Sequence, residues 1–491
     1  MDTARAARHE ISVSMKASLL FLTVVLGSLA ALSRAADAPA RKPNVLFIIA
    51  DDLNNCVGAY GHPLVKTPNI DRLAARGVRF DRAYCQFPLC GPSRNSFLTG
   101  LYPNSTGILA NAQIFRQTIP SAISLPQAFR LDGYLAVRIG KLYHYNVPNS
   151  IGTNGHDDPG SWEMEINPAG CDRLQEEPDI FSLTPGQFGG TLSWLASKNP
   201  DAKHTDGMEA ADAEWVLERC AKQKDRPFFL AVGFFRPHTP YVSPASYFEK
   251  YPEEKMPVVQ GVAEDQKDIP PAALMSHKKE QDKLTDDLRR QAVQAYFAAI
   301  SFMDAQAGKV LDALDRLGLS DNTIVVFTSD HGYHLGEHGL WQKMSLFENS
   351  CRVPMIVYDP RAKGNGKVCA RTVELVDLHS TLADLAGLPV PDGKDAKVPK
   401  LDGKSVKPLL DDPGAKWDKP ALTQVTRGGA KDAFQGYSVR NERYRYTEWD
   451  GGKRGAQLFD YDTDPGELKN LVADPAHADT VKQMKVLLPK K

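Results

Sequence analysis

The sequence of 491 residues lacks a surplus of either charge, with 59 lysines and arginines against 60 aspartates and glutamates. Such a balance argues against broad electrostatic binding to nucleic acid, which requires a basic surface. The sequence also lacks strong compositional bias, since hydrophobic residues make up 42% of it and charged residues 24%. These values exclude a disordered, collagen-like or coiled-coil protein. They favour a large soluble enzyme with a sizeable core.

Beyond the first 38 residues the sequence contains no long apolar stretch. Within them, Lys16 precedes an apolar run over residues 19–32, and the small residues that follow offer cleavage sites after Ala35 or Ala38. The run is shorter than the roughly 20 apolar residues that a transmembrane helix needs. Residues 1–38 are therefore predicted to be a signal peptide, with an uncleaved anchor as the alternative and Met15 as a second possible start. We expect an exported protein, periplasmic or secreted, without a stable membrane span after cleavage.

None of the seven cysteines belongs to a C-x-x-C pair, which excludes zinc-knuckle and thioredoxin-like spacings. An odd number of cysteines in an exported protein leaves at least one of them outside any internal disulfide. Cys351 and Cys369 flank a predicted strand and could pair, although free buried thiols explain them equally well.

Apolar, strand-like runs alternate with helical patterns along most of the chain. Residues 44–50 form a continuous apolar run typical of a buried strand. The segment 67–77 has Pro68 at the first helical position and Gly77 at its end, as helices prefer. Further strands are predicted at 78–84, 134–139, 227–235, 323–328 and 353–358, and further helices at 125–131, 210–222, 286–317 and 373–386. The alternation predicts an α/β fold with a large, mostly parallel sheet.

The remaining segments are less regular. Segments 145–205 and 255–285 have little periodicity, and we interpret them as insertions over one face that could contact substrate. A segment rich in Pro, Gly and Lys at 389–418 is typical of a connection. Beyond it, 437–449 and 457–461 predict strands of a smaller antiparallel sheet, followed by a helix. We therefore predict a catalytic domain over 43–425 and a C-terminal subdomain over 426–491.

Acidic residues follow two of the predicted strands. Asp51 and Asp52 come directly after the strand at 44–50, and Asp330 and His331 follow the strand at 323–328. Ligands bind at the carboxyl ends of parallel strands, where three carboxylates could hold Ca²⁺ or Mg²⁺. His331 is the less usual ligand for so hard an ion. An isolated Asp-Asp pair would be interpreted as a cap or a turn, but the second strand end favours a metal site.

The most specific motif is CGPSR at residues 90–94, which continues to LTG at residues 98–100. It places Cys90 at the start of a helix, where backbone amides favour an anion. Here the chain resembles the type I sulfatases, whose signature is C-x-P-S-R followed by L-T-G. The resemblance implies an alkaline-phosphatase-like fold, with helices on both faces of a large mixed sheet. It also implies that a formylglycine-generating or sulfatase-maturing enzyme oxidises Cys90 to Cα-formylglycine, an aldehyde.

Several further motifs resemble the iduronate-2-sulfatase branch of this family more than the arylsulfatases. They are GKLYH at 140–144, RPHTP at 236–240, and DHG at 330–332 running into LGEHG at 335–339 and WQK at 341–343. The resemblance extends over nearly the whole chain from residue 43. It implies a sulfated saccharide as substrate, from a glycan or glycosaminoglycan that contains uronic acid.

The resemblance also implies a role for each site residue. One Ca²⁺ would be surrounded by five residues, Asp51, Asp52, Cys90, Asp330 and His331. Arg94 and Lys141 would hold the formylglycine and the sulfate, whose oxygens gain negative charge in the transition state. A hydroxyl of the hydrated aldehyde would attack sulfur to form a covalent sulfo-enzyme, while His238 or Lys343 protonates the leaving alcohol. His144 would then accept the proton whose removal expels sulfate.

Two other functions remain open at this point. Related enzymes on the alkaline-phosphatase scaffold hydrolyse phosphoesters or phosphonates, and some of them also use a formylglycine. An inactive carbohydrate-binding homologue is the nonenzymatic alternative, although such a protein would have no need to keep Cys90 together with the acids and cations. Glu337 and His338 could contact substrate or form a structural turn, and the helix motif at 374–379 is interpreted as structural.

Overall fold

A computed structural model describes residues 41–394 and 398–489, so the predicted signal peptide at 1–38 lies outside the described residues. Residues Pro43–Lys491 form one compact unit, which is built around an eight-stranded central sheet. In spatial order the strands of this sheet are Val368–Glu374, Val78–Tyr84, Arg352–Tyr358, Thr323–Ser329, Asn44–Ala50, Phe228–Phe234, Leu135–Gly140 and Met164–Ile166.

The strand directions confirm the predicted mostly parallel sheet. Only Arg352–Tyr358 runs antiparallel to its neighbours among the strands of this sheet in the described residues. The predicted helix start at residue 373 is wrong, because Val368–Glu374 is an edge strand and the helix begins only at Asp377. Val368, Thr372 and Val373 are β-branched, and such residues favour a pleated strand.

A layer of helices covers each face of the central sheet, because successive side chains of a strand point to opposite faces. On the face that Leu46 and Ile48 contact lie Pro68–Arg76, Thr205–Lys222 and Asp286–Arg316. On the face that Phe47 contacts lie Cys90–Thr99, Leu125–Leu131, Asp377–Ala386 and Lys407–Asp411. The long helix predicted at 286–317 is confirmed, whereas the one predicted at 210–222 begins five residues earlier, at Thr205.

A four-stranded antiparallel sheet follows, with strands Ala421–Arg427, Phe434–Arg440, Tyr444–Trp449 and Ala456–Asp460, and then helix Ala478–Val486. Its first strand has no counterpart in the sequence prediction and contains the predicted domain boundary at 425–426. A buried ion pair joins this sheet to the rest of the unit, since Arg445 Nη2 lies 2.5 Å from Glu348 Oε2. The small sheet is therefore tied to the loop region that follows Asp330.

The segments at 145–205 and 255–285 carry short elements. In one small sheet Ser193–Ser197 is the central strand and pairs with both Phe181–Ser182 and Tyr241–Pro244, and in another His334–Leu335 pairs with Trp341–Gln342. The remaining short helices are Pro103–Thr106, Phe115–Thr118, Cys171–Leu174, Ala245–Phe248, Val262–Asp265, Pro271–Leu274 and Glu348–Cys351. Among the described residues, no helix is both long enough and apolar enough to span a bilayer. All seven cysteines are free thiols, so Cys351 and Cys369 are not paired.

His379 makes the stability of this fold depend on pH. It lies on helix Asp377–Ala386 with no exposed surface, and burial lowers its pKa to about 4. Because the unfolded chain takes up this proton near pH 6.5, protons favour unfolding between about pH 6.5 and 4. We expect His379 to account for a loss of about 2 kcal/mol in the free energy of unfolding between pH 7 and pH 5. Urea denaturation at both pH values should show a smaller loss in His379→Gln; an equal loss in both proteins would contradict the prediction.

Candidate active site

Four neighbouring parallel strands end side by side at one edge of the central sheet. Ala50 is paired with both Ser329 and Phe234, and Gly140 is paired with Gly233. The residues that follow these strand ends, Asp51, Asp52, Lys141, Asp330 and His331, are therefore brought to one place. The spacing of these residues in the sequence does not show that they are close together, whereas the pairing of the strands does.

The helix Cys90–Thr99 brings Cys90 to the same edge. Every residue of this helix is buried, and Cys90 is its first residue. The sulfur of Cys90 lies 3.7 Å from Asp51 Oδ1, 3.4 Å from His331 Nε2 and 3.3 Å from Lys343 Nζ. Although burial opposes ionisation, Lys141 and Lys343 lower the pKa of this thiol. Cys90 is therefore an activated thiol in an electropositive position.

Asp51 joins two buried cations. Its Oδ1 accepts a hydrogen bond from Arg94 Nη2 at 2.9 Å, and its Oδ2 accepts one from Lys141 Nζ at 2.5 Å. Arg94 Nε also donates to Asp330 Oδ2 at 3.0 Å. None of these side chains is exposed. Although burial opposes ionisation, Lys141 in the first place holds the pKa of Asp51 well below its usual range, so Asp51 stays charged.

Asp52 faces Lys343 and His331. Both carboxylate oxygens of Asp52 accept hydrogen bonds from Lys343 Nζ, at 2.6 and 2.8 Å, and Oδ1 lies 3.3 Å from His331 Nε2. The backbone of Asp52 has a φ of 64°, a conformation that costs energy in a residue other than glycine and is often found at functional sites. Burial raises the pKa of Asp52 to about 7, so the neighbouring cations do not fully compensate its negative charge.

The donor set fits a hard divalent cation. In the group formed by Asp52, Cys90, Asp330 and His331, all candidate ligand atoms lie within 4.8 Å of one another. Asp51 belongs to a second, overlapping group with His238. Carboxylate oxygens suit Ca²⁺ or Mg²⁺, and the under-compensated charge of Asp52 would be balanced by such an ion. His331 Nδ1 lies 2.9 Å from Gly332 O, which leaves Nε2 facing the carboxylates.

Two histidines complete the site, and both are neutral. His238 Nε2 lies 3.8 Å from Asp52 Oδ2, and burial together with Lys343 lowers its pKa well below the usual value. Burial, followed by Lys141, lowers the pKa of His144 to about 2. His144 Nδ1 is buried and has no hydrogen-bond partner in the described part of the chain. Neither histidine can therefore act as a proton donor in the resting site.

Glu337 and His338 belong to a turn rather than to this cluster. Glu337 Oε2 accepts a hydrogen bond from Leu335 N at 2.6 Å. His338 stacks on Phe347 at 3.9 Å between ring centroids, and its Nδ1 lies 3.0 Å from Asp265 Oδ2. These contacts favour the structural alternative for both residues.

A cavity of about 760 Å³ opens on the cluster and is lined by Cys90, His144, His238 and Lys343 among others. Residues absent from our sequence prediction also line it, namely His156, Lys278, Gln342, Thr426 and Arg427. Gln342 precedes Lys343 in the motif WQK at 341–343, so its position in the sequence could have indicated that it lines the cavity. His156 and Lys278 lie in the segments 145–205 and 255–285, which we interpreted as possible substrate contacts, but no motif marks these individual residues. Thr426 and Arg427 lie in a segment without a motif.

Comparison with known proteins agrees with this geometry. A family model described as Sulfatase matches residues 43–388. The chain belongs to the sulfatase family. A second model, N-sulphoglucosamine sulphohydrolase, C-terminal, matches residues 336–491 of this sulfatase. The signature at 90–94 and the mixed sheet place it among the type I sulfatases of the alkaline-phosphatase-like superfamily.

Relatives of this sulfatase align over nearly its full length. A sulfatase of Formosa agariphila is 34% identical over 91% of this chain and 87% of its own. An iduronate 2-sulfatase of Mus musculus is 32% identical over 93% of this chain and 94% of its own. A phosphonate monoester hydrolase of Agrobacterium radiobacter has the same fold, with a TM-score of 0.73 and 24% identity over 90% of this chain and 94% of its own.

Proposed function

We propose that this sulfatase hydrolyses a sulfate ester of a sugar, in a glycan or glycosaminoglycan that contains uronic acid. The observation that carries the proposal is the position of Cys90, whose sulfur lies among buried carboxylates and their cations beside a cavity. The likeness to the mouse iduronate 2-sulfatase, which extends over 93% of the chain, supports the class of sugar.

Cys90 is proposed to be oxidised after synthesis to Cα-formylglycine by a formylglycine-generating or sulfatase-maturing enzyme, which is thus a partner of this chain. When hydrated, this group supplies one hydroxyl as nucleophile and a second through which the aldehyde is restored, which a thiol cannot do. Arg94 and Lys141 fix the carboxylate of Asp51 beside this position. Their rigid, buried arrangement costs no reorganisation when charge develops on the sulfuryl oxygens.

One Ca²⁺ is the proposed metal, with Asp51, Asp52, Asp330, His331 and position 90 as its ligands. The three carboxylates are fully or almost fully buried and converge from two neighbouring strand ends. When bound, the cation stabilises negative charge on the sulfuryl oxygens. The carboxylates otherwise depend on Arg94, Lys141 and Lys343 for charge compensation.

Lys343 is the proposed proton donor to the leaving alcohol. Burial opposes its charge, but Asp52 raises its pKa above the usual value, so the ammonium keeps its proton. His238, which our sequence analysis considered equally for this role, is neutral in the resting site. His144 is the proposed acceptor of the proton of the remaining hydroxyl, because its buried Nδ1 has no hydrogen-bond partner among the described residues.

We also propose that the protein is exported to the periplasm or secreted, with its sulfated saccharide as the external partner. The support is the pattern of residues 1–38, where a cationic start precedes an apolar run and small residues.

The test of this function compares two esters of the same phenol or sugar, a sulfate and a phosphate. We expect kcat/KM for the sulfate ester to exceed that for the phosphate ester by about 100-fold or more, because the related sulfatases align over 91% and 93% of the chain. Faster turnover of the phosphate ester would favour the phosphoester or phosphonate hydrolase. Binding of sulfated saccharide without any turnover by the matured protein would favour the inactive binding homologue.

A further inference from the structure

The cavity beside Cys90 contains cations that no carboxylate neutralises. Among the described residues that line it, none is Asp or Glu, whereas Lys278, Lys343 and Arg427 are all present. Lys343 is paired with Asp52. Lys278 and Arg427 form no ion pair with a carboxylate in the described part of the chain, and their charges are therefore available to a ligand.

Arg427 ends the first strand of the C-terminal sheet and is only 4% exposed. Its Nε donates to Ala272 O at 3.4 Å, and its Nη2 donates to Met344 O. Its Nη1 has no hydrogen-bond partner among the described residues. A guanidinium has five N–H donors in a planar fork and loses much hydration on burial. Burial without an acidic partner lowers the pKa of Arg427 to about 10, which shows how poorly its charge is compensated.

Lys278 approaches the same cavity from the segment at 255–285. Its Nζ donates to Gln342 Oε1 at 2.6 Å and to Gly190 O. Both acceptors are neutral oxygens, so no carboxylate lies within ion-pair distance of this ammonium among the described residues. Burial lowers the pKa of Lys278, while the more distant carboxylate of Glu280 partly offsets this shift and Lys343 adds to it. Lys278 therefore lies near the position where the sulfate ester is expected.

We propose that Lys278 and Arg427 form a second anion subsite, which binds a further anionic group on the sugar that carries the sulfate ester. The inference rests on the proposed function. Arg94, Lys141 and Lys343 are already paired with Asp51, Asp52 and Asp330. A bound divalent cation would therefore be enough to balance the negative charge of a single sulfate. Two further cations match a substrate with a second negative charge, as the carboxylate of a uronic acid or a second sulfate would provide.

A purely positioning role would explain the same contacts differently. Lys278 and Arg427 hold Gln342 and Met344, which flank Lys343 and have φ values of 71° and 72°. If they only fixed this turn, their loss would move Lys343 and slow every sulfate ester alike. If they bind an anion, their loss will slow only those substrates that carry the second charge.

The experiment uses the matured full-length enzyme and four substrates. They are a phenyl uronide 2-sulfate, its methyl ester, and a phenyl hexosaminide with one sulfate or with two. We expect wild-type enzyme to prefer the doubly charged member of at least one pair by about 10- to 100-fold in kcat/KM, and Arg427→Met to remove that preference while retaining the rate on the singly charged member. Loss for the uronide pair identifies a carboxylate, and loss for the hexosaminide pair identifies a second sulfate.

Further variants keep the proposal falsifiable. Arg427→Lys should restore part of the preference, and Lys278→Met gives an independent test if Arg427→Met does not fold. Arg454→Met is the matched control, because Arg454 lies in the same subdomain, is 49% exposed and is 3.8 Å from Asp450. Equal slowing of all four substrates, or no preference in wild-type enzyme, would overturn the subsite. Absence of any sulfate ester hydrolysis in matured wild-type enzyme would instead overturn the proposed function itself.

Discussion

Replacing Cys90 with alanine is expected to lower kcat/KM for a sulfate ester by about 10⁴-fold or more, because the proposed nucleophile is generated from this side chain. The free energy of unfolding should change by only about 1 kcal/mol, since the substitution removes a single sulfur atom from a polar cluster. Initial rates on an aryl sulfate and urea denaturation curves measure the two effects separately.

The control for this variant is Cys85→Ala. Cys85 is also buried, but its sulfur lies in a hydrophobic cluster and donates to Ser350 O at 3.9 Å, and no carboxylate hydrogen-bonds to it in the described part of the chain, so the variant should retain activity. Mass spectrometry of the peptide that contains residue 90 should show loss of sulfur and gain of oxygen in active enzyme. An unmodified thiol in fully active enzyme, or turnover by Cys90→Ala, would disprove the proposed chemistry.

Replacing Asp51 with asparagine should destabilise the protein and inactivate it. Asp51 is the only carboxylate that pairs with Lys141 Nζ among the described residues, so the variant leaves a buried ammonium without an ion-pair partner. Breaking a buried ion pair in this way costs about 3–5 kcal/mol in the free energy of unfolding. We expect kcat/KM to fall by about 10³-fold or more, and calcium bound per chain to decrease, because a proposed metal ligand loses its charge.

Asp312→Asn is the matched control, because Asp312 pairs with Arg72 at 2.6 Å on the surface and is 62% exposed. Surface pairs of this kind contribute about 0–1 kcal/mol. Denaturation curves, calcium analysis by atomic absorption and initial rates should therefore separate the two variants. Unchanged stability together with unchanged calcium content in Asp51→Asn would contradict both proposed roles of Asp51, as the ion-pair partner of Arg94 and Lys141 and as a metal ligand.

Much of the fold could be predicted because its signals are local. The apolar run at 44–50 and the apolar residues at helical spacing over 286–317 each indicate a buried element from the pattern within a single segment of the sequence. The edge strand Val368–Glu374 was missed because its alternation is short and a strong helix pattern follows it at Asp377. The first strand of the C-terminal sheet, Ala421–Arg427, has no apolar run longer than two residues and carries no motif.

The residues nearest the reaction were also predictable, since Cys90, Arg94 and the acids at 51–52 and 330 stand in short motifs at strand ends or at a helix start. Their roles remain predictions, but the strand register brings them together as the motifs imply. Which of His238 and Lys343 holds the proton was not predictable. It depends on burial and on the distance from Lys343 Nζ to Asp52, which is 2.6 Å.

The sequence by itself determined which chemistry is proposed for this sulfatase. The proposed nucleophile, the proposed metal-binding acids and the cations Arg94 and Lys141 each stand in a short motif of contiguous residues. Only the tertiary structure decided what surrounds them. Lys278, Gln342 and Arg427 are far apart in the chain and meet at one cavity because the C-terminal sheet packs beside the strand ends. The proposed recognition of a second negative charge depends on this packing. How far a cationic side chain is desolvated, and whether a carboxylate lies beside it, is set by residues distant in the chain and not by any motif.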